Sequence, residues 1–558
     1  MDEPKGRATR VLVVGAGPVG LVLAMSLAQR GIAVTVVETR SEAEPPNVKC
    51  NHVSARSMEI LRRLGVAQAV REAGLPPDYP HSISYRTTTV GPELTRIEIP
   101  SRSRRFTDLD GPDGNWPTPE PPHRINQIYL EPILFAHAKA MPGIEILNRT
   151  EMVDFTQTPE GVTAHLRALD SGDETRIRAE FLIGCDGGRS GVRKAIGAKF
   201  EGDAVVQRVQ STLIRAPQLI DLMQVEPAWA MFSLNPRRQG NIYAIDGREL
   251  WLIHNYLRPD EPDFYSVDRD ASIRAILGVG ADFAYEVVSN EDWFGRRLVA
   301  DRFRKGRVFL CGDAAHIWVP YAGYGMNAGI ADAENLGWIL AAYLQGWGDV
   351  AILDAHEAER HPITEQVSRF AMRHAEAMAK QRGSVPAGIE DDTPEGAAAR
   401  AEMGAQAYAL NVQQYAAAGL NFGYYYDRSP IIEGDAETPP PYAMGSFTAS
   451  TVPGCRLPHL VTPEGGSLYD GLGAGYTLIR CDPSVDVAPL MAAAQAQGLP
   501  LVLLEADWIT DPAYRHALVL ARPDLHVAWR GDALPADPAA LVAKLRGAAP
   551  RLVKGEAA

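Results

Sequence analysis

The first ordered pattern in the chain is an unbroken apolar run at residues 11–14, Val-Leu-Val-Val, stopped by Gly15. A run of that kind marks a strand buried on both faces. Apolar residues then continue at helical spacing to Gln29, Arg30-Gly31 breaks them, and a second apolar run covers 33–37. Strand, helix and strand in such close succession predict a parallel pair with a right-handed crossover. Residues 11–29 carry no charge, which raises the question of a membrane span. Gly15, Gly17, Pro18 and Gly20 interrupt the run, so a buried strand feeding a helix is the better expectation. Further helices are predicted at 54–64, closed by Gly65, and at 127–140. Alternating runs at 153–157 and 161–167 predict a β-pair, and 181–185 and 308–311 predict two more buried strands. Ile330, Ala333, Gly337, Leu340 and Leu344 fall on one helical face, and helical pattern persists to about Lys380.

Between these parts, 205–295 is rich in alternating apolar and aromatic positions, with strands expected at 242–245 and 250–254. This pattern predicts a mostly antiparallel sheet inserted into an α/β, Rossmann-like domain. Residues 111–122 (GPDGNWPTPEPP) read as a long surface loop, and 434–441 (GDAETPPP) as a linker. Beyond it, strands at 476–479, 501–504, 517–520 and 527–530 alternate with helical segments, a separate small α/β domain. The expected partition is a discontinuous parallel-sheet domain (1–84, 124–204, 298–400), a mostly antiparallel sheet domain (85–123, 205–297), a helical connection (401–450) and a C-terminal domain (451–558). The chain shows no internal repeat.

A chain of 558 residues has room for about three domains. With 46% apolar and 22% charged residues it is neither disordered nor fibrous. A net charge of −14 excludes a nucleic-acid binder, which needs a basic face. The one basic cluster, Arg102, Arg104 and Arg105, reads as a solvated loop. Five cysteines (Cys50, Cys185, Cys311, Cys455, Cys481) form no CxxC, and the 13 histidines make no metal-like spacing with them. No metal site is expected, and sparse unpaired thiols suit a reducing cytoplasm.

Two glycine-rich turns carry the chemistry. In Gly15-Ala16-Gly17-Pro18-Val19-Gly20, Gly15 permits the turn, Gly17 lets a pyrophosphate reach the backbone, and Gly20 lets helix and strand pack closely. Glu38, followed by Thr39 at the end of the second strand, is placed to accept hydrogen bonds from a ribose diol. The second turn, Gly312-Asp313-Ala314-Ala315-His316, follows a buried strand and precedes Gly323-Tyr324-Gly325-Met326-Asn327. Two such sites nearly three hundred residues apart favour one extended cofactor lying across the sheet. Gly471–Gly475 mimics the first motif but precedes a strand, and so reads as a turn.

These motifs, together with Cys185-Asp186-Gly187-Gly188-Arg189-Ser190-Gly191-Val192-Arg193, resemble the single-component FAD-dependent aromatic hydroxylases, the group of p-hydroxybenzoate and phenol hydroxylases. The resemblance covers about residues 8–380; the tail resembles the thioredoxin-like domain of the phenol-hydroxylase branch, without its CxxC. It implies non-covalent FAD, NADH or NADPH as transient reductant, O2 as co-substrate, and hydroxylation of a phenolic compound through a flavin C4a-hydroperoxide. Glu38 would bind the ribose, Arg56 and Gln127 the diphosphate and ribityl region, Val153 backbone the adenine, Asp313 the ribityl side, and Gly325, Met326 and Asn327 the flavin. Asp186 would serve both FAD and the nicotinamide, with Arg189 and Arg193 nearby. Pro320 would stand beside the reactive flavin edge. Asn51, His52, Tyr243, His254, Trp318 and Tyr321 are the candidates for the substrate pocket and for the group that removes or shares the phenol proton, with His52, Pro320 and Tyr321 as the catalytic candidates. Asn51 stands where some members carry an acid or histidine, which leaves His52 as either the base or a core histidine. The rivals are a relative acting on polycyclic, polyketide-like aromatics, by hydroxylation, epoxidation or Baeyer–Villiger chemistry, and a non-catalytic flavin-binding protein. A small aromatic substrate and a homodimer complete the expectations.

Overall fold

The computed structural model describes residues 7–548 apart from 43, 47, 50 and 320–322, and the side chain of 204. Cys50, Pro320 and Tyr321 therefore lie outside the described residues. The opening apolar run lies at the centre of a sheet. Strand Arg7–Val14 pairs in parallel with Val34–Val37 on one side and Glu174–Gly184 on the other, and the sheet continues outward to Ile144–Leu147 and Val308–Leu310. In that register Val14 stands opposite both Val37 and Gly184, so the carboxyl ends of three strands are level. Gly15, Glu38 and Cys185 all emerge at this edge, where open α/β sheets place their ligands. Helices Pro18–Gln29 and Tyr324–Leu344 pack together over the sheet. Their lack of a polar face follows from burial: Leu21–Leu27 of the first and most of the second are enclosed. Among the described residues no helix is long and apolar enough to cross a membrane.

The second sheet has nine strands, and all of its pairings are antiparallel except that of Ala230–Ser233 with Ile83–Arg86. Its spine is the long strand Phe200–Arg215, which pairs with Leu250–Tyr256, Glu286–Asn290 and Trp293–Ala300. Strand His316–Ile317 joins this sheet through Trp293–Ala300, so the chain leaves the parallel sheet at Leu310 and crosses to the other within a few residues. The Gly312–Asp313 turn therefore bridges the two sheets. In the C-terminal part, Tyr476–Arg480 runs parallel to Leu501–Glu505 and antiparallel to Leu518–Ala521, which pairs with Val527–Gly531. Helices Ala488–Ala496 and Pro538–Leu545 pack against each other beside this sheet. Gly471 ends a short 3-10 turn ahead of strand Tyr476–Arg480, as its place in the sequence suggests.

Two segments differ from expectation. Residues 111–122 are not a solvated loop: Asp113, 1% exposed, pairs at 2.8 Å with buried Arg105, Thr118 donates to Glu59 at 2.6 Å, and Glu120 holds Arg71 at 2.7 Å. Internal partners for its polar groups let a Pro- and Gly-rich stretch pack inside. Arg105 accordingly leaves the solvated basic cluster. The stretch after 400 is more than a connection, because helix Pro394–Tyr415 packs on strand Glu93–Ile97, with Gly404 against the Leu94 carbonyl.

Candidate functional site

Gly15 adopts φ 107°, open only to glycine at low cost, and its N–H donates to the Val37 carbonyl at 2.8 Å. A side chain at Gly20 would overlap the Gly15 carbonyl, whereas one at Gly17 would meet nothing within 4 Å. Gly20 thus fits helix to strand, and Gly17 faces open space. Helix Pro18–Gln29 has no side-chain cap at Gly17, which leaves its first N–H groups free for an anion. The Glu38 carboxylate accepts from Ala16 N–H at 2.8 Å and Arg40 N–H at 2.9 Å. Burial opposes its ionisation, but these backbone bonds and the Arg40 charge outweigh it and hold the carboxyl below its usual range.

Gly17, Pro18 and Val19 line a cleft of about 540 Å³. Gln127, Cys185, Gly187, Cys311 and Asp313 line it too, as do Gly323, Gly325 and Met326. The Asp313 carboxylate opens into this space and has no hydrogen-bond partner among the described residues; the surrounding protein pushes its pKa up. Helix Tyr324–Leu344 presents a second uncapped N-terminus, entered through Gly323 at φ 62°. Two bare helix ends, a glycine with open space before it and an unpartnered carboxylate share one cleft. Residues of these kinds fit a dinucleotide with a flavin at its end, the helix ends meeting its anionic parts and Asp313 its hydroxyls.

The same cleft carries a large aromatic lining: Trp229, Phe232, Tyr243, His254, Tyr256, Trp293, Trp318 and Tyr415. Tyr243, His254 and Trp293 form an edge-to-face series with centroids 5.5 and 5.7 Å apart. Asn51 and His52 also line the cleft. Asn327 clamps their backbone, donating to the His52 carbonyl at 3.0 Å and accepting from Ser54 N–H at 2.8 Å. Ser54 in turn caps helix Ala55–Arg63. The His52 Nδ1 meets the guanidinium of Arg124. Burial, then the Arg124 and His123 charges, depress the His52 pKa far below its ordinary value. A buried imidazole with a guanidinium already at its Nδ1 is poorly placed to gain a second positive charge from a phenol proton.

Other expected residues fall away from the cleft. The Arg56 guanidinium turns toward the C-terminal domain, donating to the Asp524 carbonyl at 2.6 Å and to Glu59 at 3.2 Å, instead of toward the diphosphate. Val153 is exposed on an outer strand, 42% accessible, and does not line the cleft. Asp186 accepts from Val192 N–H at 3.1 Å and so fixes the start of the next helical turn, its other oxygen buried without a partner. Thr39 contacts Glu38 at 3.3 Å, and Gly15, Ala16, Gly20, Glu38, Gly312 and Asn327 shape the cleft from behind. Trp318 lines the cleft while stacking on His316 at 4.8 Å. His316 itself is held at 2.6 Å by Asp332, in the core. Sequence reasoning passed over Arg124, Trp229, Phe232, Tyr256, Trp293 and Tyr415. Tyr256 was findable: it lies two residues from His254 on one strand and therefore on the same face.

Residues 8–371 match the sequence family described as an FAD binding domain. A putative polyketide hydroxylase of Streptomyces halstedii is 32% identical over 561 residues, which cover 94% of each chain. Phenol 2-monooxygenase of Pseudomonas sp. (strain EST1001) is 29% identical, over 95% of this chain and 91% of its own. The rebeccamycin biosynthetic enzyme RebC, solved with reduced flavin, superposes with a TM-score of 0.88 at 33% identity, covering 98% of this chain and 100% of that one. Motifs, sheet register, cleft and relatives agree: the chain belongs to the FAD-dependent aromatic hydroxylases, flavoprotein monooxygenases that use a nicotinamide reductant and O2.

Proposed function

We propose that the chain hydroxylates a planar phenolic compound of more than one fused ring. Bound FAD supplies the activation of O2 and the oxygen atom transferred. The protein's share is placement, electrostatics and exclusion of water. The uncapped ends at Gly17 and Gly323 hold the cofactor's negative groups, and Asp313 its hydroxyls. The aromatic wall keeps solvent from the reacting centre, where water would divert oxygen to a wasted side product. Of the cleft histidines, His52 is held neutral, and burial lowers His254 to about 4. Neither is matched to a phenol's proton at neutral pH, so the substrate reacts best where a positive group favours its ionised form.

The observation that carries the multi-ring reading is the Tyr243–His254–Trp293 series, a surface longer than one benzene ring. The relatives named above include both a polyketide hydroxylase and a phenol 2-monooxygenase, so they support ring hydroxylation without choosing ring number. The test is NAD(P)H oxidation and O2 uptake with monocyclic phenols beside hydroxylated naphthalenes and anthracenes, with product mass checked for one added oxygen. The proposal expects tightly coupled turnover with the fused rings. Efficient turnover confined to monocyclic phenols would overturn it.

A further inference from the structure

Of the basic residues lining the cleft, Arg40 pairs with Glu131 and Lys49 with Glu291, whereas Arg124 makes no ion pair among the described residues. Arg124 is 2% exposed, lies in the cleft wall, and places its guanidinium 4.6 Å from the centre of the Trp229 ring. One amino group meets His52 Nδ1, and the other is buried without a hydrogen-bond partner. The nearest carboxylate, Asp113, is committed to Arg105 through Oδ2 at 2.8 Å and its carbonyl at 2.5 Å. Burial lowers the Arg124 pKa to about 10, which still leaves it charged at neutral pH. The other groups facing it are the guanidinium of Arg105, which Asp113 already holds, the phenols of Tyr243 and Tyr415, and the imidazoles of His52, His81 and His123, all depressed by burial. A buried cation whose neighbours are neutral or already paired is costly, and a ligand's negative charge would offset that cost.

We propose that Arg124 anchors the substrate: its guanidinium takes an anionic oxygen of the aromatic ligand, phenolate or ring carboxylate, while the ring lies along Trp229, Tyr243 and His254. The assignment rests on the reading of this compartment as the aromatic site. It lets the phenol react without either cleft histidine taking its proton, since a fixed cation stabilises the phenolate without accepting that proton. It also makes the cleft selective, because a neutral ring of the same shape leaves Arg124 unpaired.

The test uses the holoenzyme with 2-naphthol, 2-naphthoate and neutral 2-methoxynaphthalene, binding being followed by tryptophan fluorescence and flavin absorbance. In the wild type at least one of the two ionisable ligands binds more tightly than the methoxy compound. Preference for 2-naphthoate identifies the carboxylate, and affinity for 2-naphthol that rises with pH identifies the phenolate. R124Q weakens the preferred anion by about ten- to a hundredfold, the worth of a charge-assisted hydrogen bond, and leaves the neutral ligand unchanged. R124K restores most of the difference. An unchanged ratio of anionic to neutral affinity in R124Q overturns the anchor. So does a wild type that prefers the methoxy compound at every pH, a result that needs no variant to fold. If Arg124-dependent selectivity is present but no aromatic stimulates NAD(P)H oxidation, the hydroxylation reading fails and the anchor stands. If R124Q hydroxylates with undiminished kcat/KM, the anchor falls and the hydroxylation reading stands.

Discussion

Gly17 and Gly20 sit three residues apart in one motif, yet the structure gives their replacement by alanine opposite consequences. At Gly20 a methyl group would overlap the Gly15 carbonyl oxygen and lie 3.2 Å from its carbon and 3.3 Å from Cys185 Cβ. Backbone on one side and a packed helix on the other leave no flexible group to yield. Overpacking of this kind costs about 1–3 kcal/mol, so Gly20→Ala lowers the stability of the apoprotein by that amount. At Gly17 nothing lies within 4 Å, and φ −73°, ψ 178° suits any residue. Alanine there loses roughly 0.5–1 kcal/mol as a poorer N-cap and regains about 0.4–1 kcal/mol from a less flexible unfolded chain, so stability stays nearly constant. The added methyl, however, stands in the cleft before the uncapped end of helix 18–29, where phosphate oxygens must approach. Loss of two charge-assisted hydrogen bonds at about 1.5–3 kcal/mol each weakens FAD by a hundredfold or more. Denaturant unfolding of the apoprotein and titration with FAD, followed by quenching of flavin fluorescence, measure the two effects separately. Wild-type FAD affinity in Gly17→Ala, or apoprotein destabilisation equal to that of Gly20→Ala, would refute the assignment of the glycine roles.

Asp313→Ala leaves the fold intact, since its carboxylate holds no protein group, and weakens FAD by about ten- to a hundredfold; undiminished flavin content after gel filtration contradicts that. Glu359→Ala removes one of the two carboxylates that hold the buried guanidinium of Arg522, which donates to Glu359 at 2.6 and 2.8 Å and to Asp524 at 3.0 and 2.7 Å, and costs about 1–3 kcal/mol in urea unfolding because Asp524 still compensates the charge. A cost below about 1 kcal/mol for the single change would count against a coupled network. His356, wholly buried and donating toward Asn335 at 2.9 Å, has its pKa lowered by burial from 6.5 to about 4. The unfolded chain therefore binds one more proton in that window, and stability present above pH 6.5 is lost as pH falls toward 4, by about 1.4 kcal/mol per unit. His356→Gln flattens the dependence by one proton, and an unchanged slope shows that the group does not titrate on unfolding.

What the sequence makes legible follows from where the physics is local. The parallel core shows because strands buried on both faces need uninterrupted apolar runs, and the 324–344 helix shows because its apolar face repeats at helical spacing. The glycine turns show because backbone conformation and close approach dictate residue type at a fixed spacing, and Gly17, Asp313, Gly323 and Gly325 all reach one cleft. The aromatic wall is less visible, since Trp229, Trp293 and Tyr415 come from separate elements and meet only through the sheet order. Arg124 could not be found from its neighbours in the chain. Its lack of a carboxylate depends on Arg105 having taken Asp113, and both lie in a stretch whose composition points to solvent.

The same limit hid the role of the C-terminal domain. Arg456, Arg522 and Asp524 look like surface charges in a sequence, since such residues are almost never fully buried unless paired. Here all three are enclosed: Arg456 pairs with Glu59, and Arg522 with Glu359. Glu59 belongs to helix 55–63, whose cap Ser54 lies two residues beyond His52 of the cleft, and Glu359 also accepts from Asn335 of the 324–344 helix at 2.7 Å. The domain without a CxxC thus grips the two helices whose N-terminal ends shape the substrate side. A buried ion pair adds little net stability over an apolar contact of the same shape, but its geometry is exacting, and a mispaired charge is strongly penalised. The network therefore acts chiefly to fix position, and the small domain is part of the scaffold of the cleft.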